Sequence, residues 1–464
     1  MNCFSGFSSP QLMRTHKGKV RDSYSLGFGQ RLIVVTDRIS AFDSVLDSLI
    51  PAKGAVLNKI TNFWFNETKG IIQNHFIKEI DPDISLVHEV IPIKVEMVIR
   101  GYLTGSMWRY YCEGKRNFSG VQVPDGLTKN QKFSEPILTP TTKEDSDREI
   151  TPAEIVASGL TDEQMLQQMM DAARALYKYG SEYLEKKGII LVDTKYEFGI
   201  KDGKLMLIDE IHTPDSSRFW EAENYSASPE EAEQIDKEFV RQWLIANKKD
   251  GKYPTCLPNE VIVETTKRYI EIFEAVTGEK WAVDLFADVS NRVYANLVRY
   301  NLLKPGFVSI VMGSPTDEEH AKKIREYLKP FPVMTEMRVV SAHKNGEEII
   351  ALAKEYNNSI EPAVVIAVAG RSNGLGGALA ANLNIPVINC PPFKDNVDMM
   401  VNVNSSLMMP GNTPALTVVS PDNAAMAALR CLNIPQLRRE ISSGIQKQKK
   451  ALKEADQKMR STKG

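Results

Sequence analysis

From Phe307 onward the chain repeats one pattern: a short apolar run, a polar loop, then a stretch with helical spacing. "FVSIVM" (307–312), "AVVIAVA" (363–369), "PVIN" (386–389) and "ALTVVS" (415–420) read as buried strands. "DEEHAKKIREYL" (317–328) sets Ala321, Ile324 and Leu328 on one helical face behind an N-cap at Thr316 or Asp317. "PDNAAMAALRCL" (421–432) opens with a proline in its first turn. Strands alternating with helices leave few options: a parallel sheet with helices on both faces. Ligands of such sheets bind beyond the carboxyl ends of the strands. The polar loops "GSPTD", "SAHK", "GRSNGLGG" and "SSLMMPG" fall at those ends, which marks a small-molecule site. The glycines at 370, 374, 376 and 377 do not fit the GxGxxG spacing, so a dinucleotide-dependent oxidoreductase is excluded.

Before residue 300 the texture differs, with more charge, more aromatic residues and hairpin-like alternation. A chain of 464 residues exceeds what one core organises, so a boundary near residue 300 is expected. "HKGKVRDSYSL" (16–26) and "QRLIVVTDR" (30–38) read as a hairpin opening a sheet. "DEQMLQQMMDAARALYKYGSEYLEKKG" (162–188) is a long amphipathic helix with Met165, Met169, Ala172, Leu176 and Tyr183 on one stripe and Gly188 as its stop. "IILVDTKYEFGIKDGKLMLIDEI" (189–211) reads as strand, Asp-Gly turn, strand. The net charge of −2 gives no basic field for nucleic acid, and the basic run 446–460 reads as a solvated helix face. Five scattered cysteines without CxxC spacing point to reduced thiols and a cytoplasmic setting, not to disulfides or zinc. No signal-peptide core and no apolar run of about 18 residues is present, so no membrane partner is expected.

The first half carries its chemistry in charge patterns. In "KGKVRD", Lys17 and Lys19 flank Gly18, where a backbone can approach a phosphate. In "DTKYEFG", alternation puts Asp193, Lys195 and Glu197 on one strand face. Asp209 and Glu210 follow inside the apolar run "LMLIDEI", where acids are costly unless paired or on a metal. Glu197 and Asp209 suit Mg²⁺, which takes one or two carboxylates plus substrate phosphates. A two-residue turn at Asp202-Gly203 would pair Glu197 with Ile208 and send Asp209 to the other face, so an odd-numbered loop is expected. Arg100 before Gly101 and Arg218 in "TPDSSRFW" are suited to a carboxylate or phosphate. Together these residues point to an ATP-dependent enzyme.

"GKVRD", "VTDRISAFD", "VIRGYLTGS", "TPTTK", "DTKYEFG" and "DEIHTPDSSRFW" occur in the order found in the SAICAR synthetase family of purine biosynthesis, and the resemblance runs from about Met13 to Trp281. From about Gly306 to Asn433, "MGSPTDEEHAKKI", "SAHK", "AGRSNGLGG" and "SSLMMPG" resemble AIR carboxylase. The chain is thus similar to bifunctional purine enzymes that fuse the two activities. Its "SAHKNG" and "AGRSNGLGG" differ from the "SAHRTP" and "AGGAAHLPG" of carboxylases that use N5-carboxy-AIR. They resemble the class that takes CO2 directly, without ATP or biotin. The remaining alternatives are an N5-carboxy-AIR mutase and a non-catalytic nucleotide-binding core.

The resemblance implies an α+β first half, ATP-grasp-like, with a β-rich nucleotide subdomain and an α+β subdomain. It implies an α/β second half, a three-layer α/β/α parallel sheet of flavodoxin or Rossmann type. The expected divisions are 1–300 (1–98 for nucleotide, 99–300 for substrate), a linker at 301–306, 307–435, and a helical tail at 436–464. In the implied first reaction, ATP, CAIR and L-aspartate give SAICAR, ADP and phosphate. Lys17, Gly18 and Lys19 would cradle phosphates, Lys195 would contact a phosphate or the carboxylate, and Glu197 and Asp209 would hold Mg²⁺. Lys94 and Glu96 would read adenine from a linking strand. Arg100, Ser106 and Arg218 would bind CAIR, with Asp215 nearby, Ser40 and Asp43 on the substrate side, and Thr141 and Lys143 near the cleft.

In the implied second reaction AIR is carboxylated by CO2 with no cofactor. His343 would take the proton from the ring carbon and Lys344 would stabilise a carboxylate. Gly313, Ser314 and Asp317 would bind the ribose phosphate and hydroxyls. Ser341, Gly370, Arg371, Ser372 and Asn373 would hold phosphate and CO2. His320, inside a helix, is expected to be structural. The family implies a homo-octamer built through the carboxylase halves, with Ile441, Ile445, Leu452 and Met459 forming a stripe able to pack on a neighbour.

Overall fold

The structure is a computed structural model, and it describes residues 1–42, 44–144, 148–232 and 238–462. The chain divides into two compact units: Met1–Gly6 with Arg14–Val293, and Phe7–Met13 with Tyr294–Gly464. Nothing in the sequence pattern marked Phe7–Met13 as part of the second unit. Among the described residues no helix is long and apolar enough to cross a membrane.

The first unit holds two main sheets. One runs in the order Met13–Lys17, Arg21–Gly27, Gln30–Val35, Ile84–His88, Phe76–Asp81. The other is antiparallel and centres on Ile91–Tyr102 beside Ile189–Lys201. Lys132–Leu138 and Thr141–Thr142 pair with the first of these central strands, and Lys204–Ile208 and Ser217–Glu221 with the second. Three helices cover the shared core: Lys53–Glu67 through Val56, Ile60 and Trp64, Glu163–Glu185, and Asn259–Thr277 through Ile272, Phe273 and Val276. The helix Glu163–Glu185 is capped by the Asp162 side chain, which accepts the Met165 N–H at 2.7 Å. Its buried face is centred on Leu166, Met169, Ala173 and Leu176; the expected Met165, Ala172 and Tyr183 flank that face, partly buried.

The hairpin departs from expectation. Lys201 pairs with Lys204, so the turn has two residues, Asp202 and Gly203, both left-handed with φ of 52° and 74°. That is the geometry an Asp-Gly pair favours. Glu197 therefore lies opposite Ile208, and the odd-numbered loop is wrong. The strand ends there, because Asp209 is itself left-handed with φ of 65°. Alternation stops at that residue and no longer decides which way its carboxylate points.

The second unit is a five-stranded parallel sheet in the order Met334–Val339, Phe307–Met312, Ala363–Val368, Val387–Asn389, Leu416–Thr417. Alternate residues of Phe307–Met312 feed two cores. Val308, Ile310 and Met312 pack under the helices Glu318–Leu328 and Pro421–Leu432. Phe307 and Val311 pack under Glu347–Asn357 and Gly374–Asn382. This is the three-layer α/β/α arrangement that strand–helix alternation requires. The last helix, Pro435–Ser461, starts inside the first of these cores through Leu437 and Ile441, with Ile445 packed against it. Ile441 and Ile445 thus serve this unit's own core, whereas Leu452 and Met459 are exposed.

Candidate active site

Two neighbouring strands build the main cleft of the first unit, about 610 Å³ in volume. In register, Arg100 faces Asp193, Val98 faces Lys195, and Glu96 faces Glu197. Period-two alternation puts all of these on one face. Two glutamates directly opposite would repel. Lys195 settles this by donating to Glu96 at 2.6 Å and to Glu197 at 3.4 Å, while Lys143 donates to the other Glu197 oxygen. Burial alone would lower the Lys195 pKa, but Glu197, Glu96 and Asp209 outweigh it and raise the pKa, so the ammonium is fixed in its charged form. Asp209 is thus within electrostatic reach of Lys195, by way of its left-handed backbone rather than strand alternation.

At the other end Asp193 sits between two arginines. Arg100 donates to it at 3.3 Å, and Arg218, its partner on Ser217–Glu221, donates to the same oxygen. Arg100 also donates to Thr139 Oγ1 at 3.0 Å. Gly105 has φ of 60°, and a Cβ there would stand 2.6 Å from the Arg218 guanidinium, so its missing side chain makes room for that group. Ser106, Thr141 and Asp215 complete the wall. Behind it, Lys53 and Tyr269 hold Asp215 at 2.8 and 3.1 Å. Arg21 reaches Glu210 at 2.9 Å and Asp209 at 3.4 Å, and the Thr213 hydroxyl donates to Glu210.

Other expected residues are placed elsewhere. Gly18 does form a tight turn: its N–H donates to the Arg21 carbonyl at 2.7 Å, and a Cβ would lie 2.8 Å from that oxygen. Lys17 and Lys19 flank it, exposed, and do not line the cleft described here. Lys94 is exposed near the start of Ile91–Tyr102, the strand that follows Ile84–His88 out of the first sheet into the second, and Glu96 on the same strand accepts from Lys195. Ser40 sits half-buried in the separate hairpin Arg38–Ala41/Ser44–Leu49, and Asp43 lies outside the described residues. Asp193 was read as part of the charged strand face but given no role, and Arg21, Lys53 and Tyr269, which pair with acids at or behind the cleft, were not singled out. For Arg21 the signal existed, since it continues the period-two series Lys17, Lys19.

In the second unit the loops at the strand ends converge. Gly313 lies against Ala369, and His343 against Gly374, where a Cβ would stand 2.9 Å from the imidazole Cε1. His343 and Lys344 are exposed. The Ser341 N–H donates to Asn345 Oδ1 at 2.8 Å, which closes the turn carrying them. Ser314 Oγ accepts the Thr316 N–H, and burial raises the pKa of half-buried Asp317. After Gly370, Arg371 is left-handed at φ of 57°, and its N–H donates to Asn402 Oδ1 at 2.6 Å. Its side chain and that of Ser372 are exposed. Asn373 has a second role. It is buried, caps the helix Gly374–Asn382 through the Gly376 N–H, and donates to Ser406 Oγ at 2.9 Å, so its side chain holds the loop. Asn402, Ser405 and Ser406 belong to the helix Asn396–Leu407, which the sequence reading did not recognise. His320, in the helix Glu318–Leu328, stands 3.3 Å from the Cys390 thiol, and burial pushes its pKa down to about 4.

Residues 14–255 match the family model of SAICAR synthetase, and residues 307–455 match that of AIR carboxylase. A phosphoribosylaminoimidazole-succinocarboxamide synthase of Azobacteroides pseudotrichonymphae is 43% identical over 308 residues, covering 65% of this chain and 95% of that protein. One from Flavobacterium psychrophilum is 43% identical over 306 residues, covering 64% and 97%. The solved structure of SAICAR synthase from Saccharomyces cerevisiae, complexed with SAICAR, aligns with a TM-score of 0.54 and 37% identity over 59% of this chain and 97% of that one. The chain belongs to the SAICAR synthetase family, and it carries an AIR carboxylase domain fused behind the synthetase domain.

Proposed function

We propose that the first unit ligates CAIR to L-aspartate at the expense of ATP, through an acyl phosphate, and that the second unit makes CAIR from AIR and CO2. The observation that carries the first half is the Lys195 ammonium, held between Glu96 and Glu197 beside the Arg100–Asp193–Arg218 cluster in one cleft. A carboxylate is a poor electrophile. Phosphorylation of the CAIR carboxylate by ATP supplies a leaving group, and the aspartate amine then displaces phosphate to form the amide. Lys195 and Lys143 would place positive charge beside the transferring phosphoryl oxygens. Arg100, Arg218 and Ser106 would grip the CAIR phosphate and carboxylate. The exposed Lys17–Gly18–Lys19 turn would meet the nucleotide phosphates.

Glu197 and Asp209 would hold Mg²⁺. Both are carboxylates, the oxygen donors that Mg²⁺ takes together with substrate phosphates; here Lys143 and Lys195 hold Glu197, and Arg21 holds Asp209. When bound, the ion neutralises phosphate charge.

In the second unit, AIR is an enamine-like nucleophile, so CO2 needs positioning and dehydration more than activation. His343, exposed at the joined loop ends, would accept the ring-carbon proton, with Lys344 beside the new carboxylate. Direct use of CO2 rests on the "SAHKNG" and "AGRSNGLGG" loops. The exposed apolar side chains of Val397, Met400, Val401 and Leu407 support self-association through this unit, with an octamer as the proposed state.

The test supplies the full chain with CAIR, L-aspartate and MgATP and follows ADP and SAICAR together. One ADP per SAICAR is expected, and ADP release without amide formation contradicts the ligase reading.

A further inference from the structure

We propose that Lys53 and Tyr269 form a positioning pair that aims the Asp215 carboxylate into the cleft, where it accepts an N–H from the amine-bearing substrates; this rests on the ligase reading above. Lys53 is a costly place for a cation on two counts. Its side chain is fully buried. It is also the first residue of the helix Lys53–Glu67, whose amino end disfavours positive charge. An apolar residue would fill the same space at lower cost, so the ammonium needs a specific reason to be there.

Asp215 supplies one. Lys53 Nζ donates to Asp215 Oδ2 at 2.8 Å and lies 5.7 Å from the centre of the Tyr269 ring. Tyr269, buried on the helix Asn259–Thr277, donates its hydroxyl to Asp215 Oδ1 at 3.1 Å. The Asp215 N–H in turn donates to Thr213 Oγ1 at 3.2 Å. Each carboxylate oxygen is thus tied from behind by a different helix, while Asp215 itself forms part of the cleft wall beside Arg218. Most of the other charges in that wall are cations suited to phosphate and carboxylate. A fixed acceptor among them selects the amine end of a substrate and repels its anionic end. Lys53 and Tyr269 act only through Asp215, so their loss affects substrate placement rather than phosphoryl transfer.

The experiment compares full-length wild-type, Tyr269→Phe and Lys53→Met proteins by ADP release, varying CAIR, L-aspartate and ATP in turn. Tyr269→Phe keeps the ring and removes one hydrogen bond. It is expected to raise the KM for CAIR or L-aspartate about fivefold, with the KM for ATP unchanged within about twofold. Lys53→Met is expected to do the same about tenfold or more; if it does not fold, Tyr269→Phe decides alone. A Tyr269→Phe protein with wild-type KM values, or one that loses kcat alone, overturns the proposal. Wild-type protein that releases no ADP overturns the ligase reading and this proposal with it.

Discussion

Asp209 shows how one backbone angle can take a side chain out of strand alternation. With φ of 65° it lies where L-residues pay strain and where Asn and Asp are tolerated best. Asp209→Asn keeps that tolerance and removes the charge. We expect it to fold with wild-type thermal stability while SAICAR formation falls about a hundredfold or more. Asp209→Ala adds backbone strain and is expected to lose about 1 kcal/mol of stability as well, read by denaturant titration. Lys195→Met removes the ammonium that separates Glu96 from Glu197. A drop in kcat/KM of about a hundredfold or more is expected, and a variant within a few-fold of wild type would remove Lys195 from the mechanism. Spacing alone put Asp193, Lys195 and Glu197 on one face, because strand periodicity is a local property. It could not place Asp209, since a single left-handed residue cancels alternation. Nor could it find Lys53 and Tyr269, whose partner Asp215 is far off in sequence.

At the level of elements, the loop from Gly370 to Gly377 is built by its neighbours. Asn402 holds the Arg371 N–H, Ser405 holds the Asn373 N–H, and the buried Asn389 side chain fills the space where a Gly376 Cβ would stand. Gly376→Ala must therefore displace a buried amide, and a loss of about 2 kcal/mol or more in the second unit is expected on chemical denaturation, with the first unit's transition unmoved. The parallel sheet was legible because four apolar runs alternate with helical stretches; its partly buried edge strand Met334–Val339 was not among them. The helix Asn396–Leu407 was not, because it leaves Val397, Met400 and Val401 exposed and so lacks a one-sided apolar stripe. The Asp-Gly hairpin was legible as a turn. Its two-residue register follows from ordinary turn preference, and an odd-numbered loop is needed only where alternation alone must bring Asp209 onto the face of Glu197.

Over the whole molecule, pH should act through buried titratable groups. In the first unit, burial pushes His75 down to about 4 and His212 down to about 3. Both bind protons more readily in the unfolded chain, near the ordinary histidine value of 6.5. Their contribution to stability is complete above that value and is lost as pH falls toward the folded values. Burial also raises Asp37 from 3.8 to about 6, and that group works in the opposite sense: its contribution is complete below 3.8 and is lost as pH rises toward 6. The separable prediction is therefore a difference. Between pH 6.5 and 4, a His212→Gln protein should lose thermal stability less steeply than wild type, and an equal slope would show that His212 does not titrate as its burial requires.

The central claim is that one chain runs two consecutive reactions, of which only the second needs ATP. The most direct measurement gives the full-length protein AIR, bicarbonate and L-aspartate, with and without MgATP, and follows CAIR and SAICAR together. Without ATP, CAIR should form and SAICAR should not; adding ATP should convert that CAIR to SAICAR. If CAIR forms only when ATP is present, or SAICAR forms in its absence, the account is contradicted.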